Sequence, residues 1–258
     1  MRKAISALLG LTGLVCVFSG CSKPQTHDAP VAETDTTLPE AHVDTASAAT
    51  ISGNVLFRGV RPVMPTIDFS SNPQCEREHK RPVSAETVVV NANGTLANTL
   101  VWVSSGLPPG RWPAPSALAR MDQAGCIYKP HVLALMVGQD LEVLNSDSVN
   151  HNVHAEAALN PATNDMEPPR AESIHKRYTK QEVWFPLTCS VHPWMRAYVA
   201  VIAHPFFAVT GSDGSFSISG VPPGTYTLEA VHEKYGRKTL QVQLAVRGNE
   251  KVDFEYGE

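Results

Sequence analysis

The chain lacks a basic cluster: its 258 residues carry 21 Lys and Arg against 25 Asp and Glu, a formal net charge of −4. A mildly acidic body without a cationic patch offers little to a phosphate backbone, which argues against nucleic acid as a partner. Long apolar runs are equally scarce. The clearest, over residues 8–18, is too short for an ordinary membrane-spanning helix. No stretch repeats apolar residues convincingly at helical spacing, so long helices are not expected. Also missing are a Ser/His/Asp arrangement, a supported pair of carboxylates and a phosphate loop. Asp147 and Glu233 have no assistant recognisable in the sequence, and an enzyme is not expected.

What is present is short, β-branched and turn-rich. Strands are predicted over 51–57, 87–90, 99–103, 131–137, 141–144, 198–202, 215–218, 225–231 and 239–246. Turn signals such as Asn93-Gly94, Pro108-Pro109-Gly110, Asp213-Gly214 and Pro222-Pro223-Gly224 lie between them. The expected class is all-β, built as sandwiches. The polar stretch 160–180 is read as a separator without strands.

The N-terminus is a secretory signal over residues 1–20, with Arg2 and Lys3 ahead of the apolar stretch. Its end, Phe18-Ser19-Gly20-Cys21, resembles a bacterial lipoprotein cleavage site. That resemblance implies a lipid on Cys21 and, with Ser22 rather than aspartate following, retention in an outer membrane facing the periplasm. Residues 21–49, rich in Ala, Thr, Asp and Pro, cannot bury enough surface to offset ordering entropy and are read as a disordered tether.

The chemistry gathers in Cys189-Ser190-Val191-His192-Pro193-Trp194-Met195. A thiolate, an imidazole and a thioether at C-x2-H-x2-M spacing suit copper, whose reduced state favours sulfur and whose oxidised state accepts imidazole. A further histidine is available in His151-Asn152-Val153-His154. Side chains three apart on a strand point to opposite faces, so only one of His151 and His154 can serve the same ion. Zinc seldom takes methionine, and Met195 argues against it.

These two motifs, in this order, resemble the cupredoxins, the amicyanin group most of all. The resemblance covers roughly the middle third of the chain. It implies a Greek-key sandwich over 111–203 with one type 1 copper held by His151, Cys189, His192 and, axially, Met195. It also implies that Asn152 ties the ligand loops together and donates towards the cysteine sulfur, and that the protein passes single electrons to a redox protein partner. His192, rimmed by Pro193 and Trp194, would give the route to the surface. The alternative is a non-redox envelope protein that buffers or delivers copper.

With Cys16 in the signal and Cys21 carrying lipid, Cys75, Cys126 and Cys189 remain, and two of these three should pair in an oxidising envelope. If Cys189 holds metal, they are Cys75 and Cys126; the other option is a second metal site of Cys75, His79, Cys126 and His131. Residues 204–258, through Asp213-Gly214-Ser215-Phe216 and Val221-Pro222-Pro223-Gly224-Thr225-Tyr226, resemble the carboxypeptidase regulatory-like domain, a smaller transthyretin-like sandwich. Gly214 and Gly224 are expected in turn conformations closed to other residues. Residues 50–110 form an N-terminal β segment whose strands resemble the start of that module. The expected arrangement is one sandwich built from both ends of the chain, with the copper unit inserted. His131, His204 and His232 are read as structural.

Overall fold

The computed structural model describes residues 38–257, so the signal, Cys21 and most of the proposed tether lie outside the described residues. Strand β1 (Ala49–Arg58) is followed by a single helical turn, α1 (Pro73–Arg77), and β2 (Leu100–Ser105). Next come β3 (Ala119–Gln123), β4 (Tyr128–Lys129), β5 (Val132–Met136), β6 (Asp140–Asn145), β7 (His151–Ala155), β8 (Thr163–Glu167) and β9 (Ile174–Arg177). The chain ends with β10 (Glu182–Thr188), β11 (Arg196–Ile202), β12 (Phe207–Val209), β13 (Ser215–Val221), β14 (Gly224–His232), β15 (Gly236–Leu244), β16 (Asn249–Lys251) and β17 (Phe254–Gly257). The class is all-β.

Two sheets take strands from both ends of the sequence. In one, β1 lies between β13 and β16 and also pairs with β17; in the other the order is β12-β2-β14-β15. Period-two alternation explains the first sheet: Phe216 and Ile218 of β13 point inward beside Ile51 and Val55 of β1, while Ser215 and Ser217 face solvent. These inner faces close on one core with Val101, Leu228 and Phe254. Gly214 makes the turn before β13 at φ +67, and a Cβ there would meet Thr95 at 2.1 Å. Gly224 differs from the expectation. It has no left-handed backbone, and a Cβ would instead crowd the Tyr226 hydroxyl at 3.0 Å, which donates to the Pro222 carbonyl.

The other two sheets, β5-β11-β10-β7-β8 and β4-β3-β6-β9, are formed by the chain between β2 and β12 and enclose a separate core. Entry and exit are neighbours, because β2 pairs with β12 through Trp102 and Phe207. Interior β11, between β5 and β10, is buried along Val199–Ile202, as a strand covered on both faces must be. Two strands, β8 and β9, lie inside the stretch read as a separator. Their residues, Thr163-Asn164-Asp165-Met166-Glu167 and Ile174-His175-Lys176-Arg177, are mostly polar because both strands are sheet edges, so backbone pairing rather than apolar alternation defines them. Conversely, residues 87–90 form no strand beyond the bridge Val90–Leu96. Their backbone is used in local bonds such as Ala97 N–H to Val89 O.

The segment between β1 and β2 does not stay with the first core. Phe69 and Cys75 are buried in the core of the inserted sandwich, with Ile67 and Val83 packed against it. This excursion, residues 66–84, is called the cap below. Its ends are held together by a bridge from Thr66 to Ser84 and by Ile67 N–H to Val83 O.

Buried histidines brace the outer sandwich. His204 Nε2–H donates to the Val103 carbonyl and its Nδ1 accepts from Phe206 N–H, while His232 Nδ1 accepts from Lys234 and Tyr235 N–H. Burial holds both pKa values down, to about 4. The unfolded chain takes up these protons near pH 6.5, whereas the folded protein does so only near 4. Acidification across that window therefore favours unfolding, by about 3 kcal/mol per histidine when complete. The denaturation midpoint is expected to fall between pH 6.5 and 4, with a shallower slope in His204→Gln, measured by urea titration at several pH values.

Candidate metal centre

Three side chains from two neighbouring strands converge at one end of the inserted sandwich. His151 opens β7, and Cys189 and His192 lie in the loop joining β10 to β11, whose base is closed by the pair Thr188–Arg196. Because β10 also pairs with β7, the histidine and the loop are held side by side. Four contacts shape the loop. Asn152 Oδ1 accepts from Ser190 N–H at 2.6 Å, Met195 N–H donates to His192 O at 2.9 Å, and the Tyr128 hydroxyl lies 2.5 Å from Asn152 O and 3.0 Å from Thr188 O. Tyr128 thus pins both ligand-bearing strands from within the core.

His151 Nδ1 lies 3.0 Å from His192 Nδ1, and His192 Nδ1 lies 3.8 Å from Cys189 Sγ. All three donors fall within 4.8 Å of one another, and the residues are 0%, 1% and 4% exposed for His151, His192 and Cys189. Two imidazoles and a thiol fit copper better than a hard cation. Met195 is buried in the same core, 1% exposed.

Asp147 organises the set. Its carboxylate accepts from Gly125 N–H at 2.6 Å and Cys126 N–H at 2.7 Å, and lies 2.8 Å from His151 Nε2. Gly125 and Cys126 can present both amides because each adopts positive φ, +73 and +54. Burial works to raise the Asp147 pKa, but the bonds from His151, Cys126 and Gly125 outweigh it and hold the carboxyl below its ordinary range. Asp147 therefore accepts a hydrogen bond from His151 Nε2–H, which keeps the proton on Nε2 and leaves Nδ1 free to bind. Burial opposes charge on His151 too, yet Asp147 and Cys189 raise its pKa. For Cys189, burial pushes the thiol up, and hydrogen bonds from His151, His192 and the loop amides more than reverse this, to about 6. The sulfur is a thiolate at neutral pH.

His192 departs from its expected exposure. Its outer nitrogen, Nε2, is covered by the cap: Asn72 Nδ2 lies at 2.8 Å and Cys75 Sγ at 3.5 Å. Asn72 Oδ1 also accepts from Gln74 and Cys75 N–H as the cap of α1, so one side chain joins that helix to the imidazole. Trp194 is drawn under the same cover, edge-on to Phe69 with centroids 5.4 Å apart and donating its indole N–H to Cys126 O at 2.9 Å. The ring edge is thus no open port. The exposed residues of the loop are Ser190, Val191 and Pro193.

Cys75 and Cys126 form a disulfide. The other reading of that region is not what the structure holds, since His79 Nε2 bonds Gly125 O at 2.7 Å and His131 Nε2 lies 2.5 Å from Glu233. Asn152 does tie the two loops, but its NH2 group bonds Asn164 Oδ1 rather than pointing at the sulfur. His154 faces away from the cluster, 3.4 Å from Thr188 Oγ1. Asp147 and Glu233, read from the sequence as carboxylates without assistants, each have a histidine partner, His151 and His131; Asn72 and Tyr128 were not singled out from the sequence. Only Asp147, four residues before His151, leaves any local trace.

Residues 192–256 match the carboxypeptidase regulatory-like domain. This covers about a quarter of the chain, and the sandwich also uses β1 and β2, which lie outside the match. Solved structures with similarity include a Cu-containing nitrite reductase from Thermus scotoductus SA-01, 20% identical over 38% of this chain with TM-score 0.30; only 25% of that enzyme is spanned. A purple cupredoxin from Nitrosopumilus maritimus is 23% identical over 32% of this chain and 98% of its own, with TM-score 0.28. A reduced Cu(I) amicyanin mutant is 21% identical over 40% of this chain and 98% of its own, with TM-score 0.30. No curated protein sequence matches the chain.

Asp147→Asn keeps the shape of the carboxylate but not its charge. It is expected to weaken copper binding by about 10- to 100-fold while leaving the fold intact. Competition against a chelator, beside circular dichroism, checks both parts.

Proposed function

We propose that this is a single-copper electron carrier of the bacterial cell envelope, with His151 Nδ1, Cys189 Sγ and His192 Nδ1 as a trigonal set and Met195 as the weak axial ligand. The observation that carries the reading is the convergence of two imidazoles and a low-pKa thiol in a buried pocket whose hydrogen bonds already orient them. A copper ion bound there supplies a one-electron couple. Asp147 fixes the ring of His151, Asn152 and Tyr128 hold the two ligand-bearing segments in register, and the surrounding core limits reorganisation between oxidation states. A filled ligand set leaves no position for substrate, so the chain acts as a carrier rather than an enzyme.

Electrons would leave along the loop itself, since Cys189 is followed by exposed Ser190 and Val191. Val191 and Pro193 give an apolar contact for a redox protein partner. Anchoring through a lipid on Cys21, in an outer membrane facing the periplasm, completes the proposal. Among the described residues no helix is long and apolar enough to cross a membrane.

A second reading, copper buffering or delivery without redox work, draws support from the cap, which shields the His192 edge that a docking partner would otherwise meet. Visible spectra of the soluble fragment from Ala48, titrated with Cu(II), test the first reading. An intense blue thiolate-to-copper band saturating at one equivalent and absent in Cys189→Ser is expected. A colourless protein, or equal copper binding without Cys189, would refute it. A blue protein that surrenders copper to a partner during each redox cycle would favour delivery.

A further inference from the structure

The Cys75–Cys126 disulfide abuts the centre from behind. Cys75 Sγ lies 3.5 Å from His192 Nε2, the ring nitrogen opposite the one that faces His151 and Cys189. Both sulfurs and the imidazole fall within one 4.8 Å group, and all three residues are buried. The Cys126 backbone is held independently of its sulfur, by Asp147 and by the Trp194 indole.

We propose that reduction of this disulfide opens a second metal site, formed by the Cys75 and Cys126 thiolates with His192 Nε2, and that this site takes Cu(I). Two thiolates and an imidazole make a soft, low-coordinate set suited to that ion, whereas a structural zinc would need a fourth ligand. The opening reaction is thiol–disulfide exchange with a dithiol. The dithiol is oxidised to its own disulfide, two electrons and two protons pass to Cys75 and Cys126, and the thiol protons go to solvent when the metal binds.

Cover and nitrogen are released by one movement. Asn72, the present partner of Nε2, caps the five-residue helix that carries Cys75, so a shift of that helix frees the sulfur and the ring together. Open space borders the cap: a cavity of about 290 Å³ is lined by Glu76 of that helix with Phe69 and His79, and one of about 90 Å³ by Ile67, Val83 and Trp194. A neutral imidazole serves one ion at a time, so the second site competes with Cys189 and His151 for His192. The state of the disulfide then selects between holding copper for electron transfer and holding Cu(I) on the cap side.

The test uses Cys189→Ser, so that its outcome is separate from that of the blue-copper reading. Anaerobic Cu(I) titration against bicinchoninate is run on this variant before and after treatment with a phosphine reductant and desalting, with alkylation and mass measurement to count free thiols. Retention of no Cu(I) before reduction and one equivalent after it, lost again in Cys189→Ser/Cys75→Ser, is expected. Retention of none by the reduced, folded protein would overturn the proposal. So would an equivalent that survives loss of Cys75, or a disulfide that yields only when circular dichroism shows the protein unfolded.

Discussion

Burying two imidazoles and a thiolate within contact distance carries a desolvation cost that only hydrogen bonds and charge pairing offset. The structure meets that requirement outward from His151: Asp147 on its Nε2, two amides on Asp147, and the left-handed turn at Gly125-Cys126 that aims those amides. That turn also carries the sulfur bonded to Cys75. The ligand geometry, the disulfide and the cap are therefore one connected arrangement, and within it the hydrogen bonds from His151, His192 and the loop amides lower the Cys189 pKa.

The cap links the two sandwiches in the chain as well as covering the loop. It leaves β1 of the outer sandwich, places Phe69 and Cys75 in the core of the inserted one, and returns to β2. The contact between His131 of the inserted sandwich and Glu233 of the outer one, both 8% exposed in their side chains, lies beside the cavity under the cap. A buried hydrogen-bonded pair of this kind is costly to break from one side, because the partner left behind is unsatisfied. The outer sandwich is thus more than a passive base: its hairpin end, at Glu233, lines the same cavity as Trp194 and Tyr128.

Much of the centre was legible because its information is local. C-x2-H-x2-M needs only a short loop, alternation along His151–His154 separates the two histidines by face, and turn glycines mark the C-terminal sandwich. The edge strands β8 and β9 were not legible, since solvent on one side removes the apolar alternation that announces a strand. Gly224 misled for a related reason: proline and glycine mark a turn, but here the glycine lies close against the Tyr226 hydroxyl and does not use a left-handed φ.

The sequence by itself determined the all-β class and marked the candidate donor residues, because each depends on residue type and short spacing. Tertiary structure alone decided that His192 is covered. Asn72 stands 120 positions from His192 and Cys75 stands 117, and no local periodicity records a contact made only when two sandwiches and the segment between them close. The same holds for the choice of Asp147 as the partner of His151: a carboxylate four residues away becomes an orienting group only after the Gly125-Cys126 turn has folded against it.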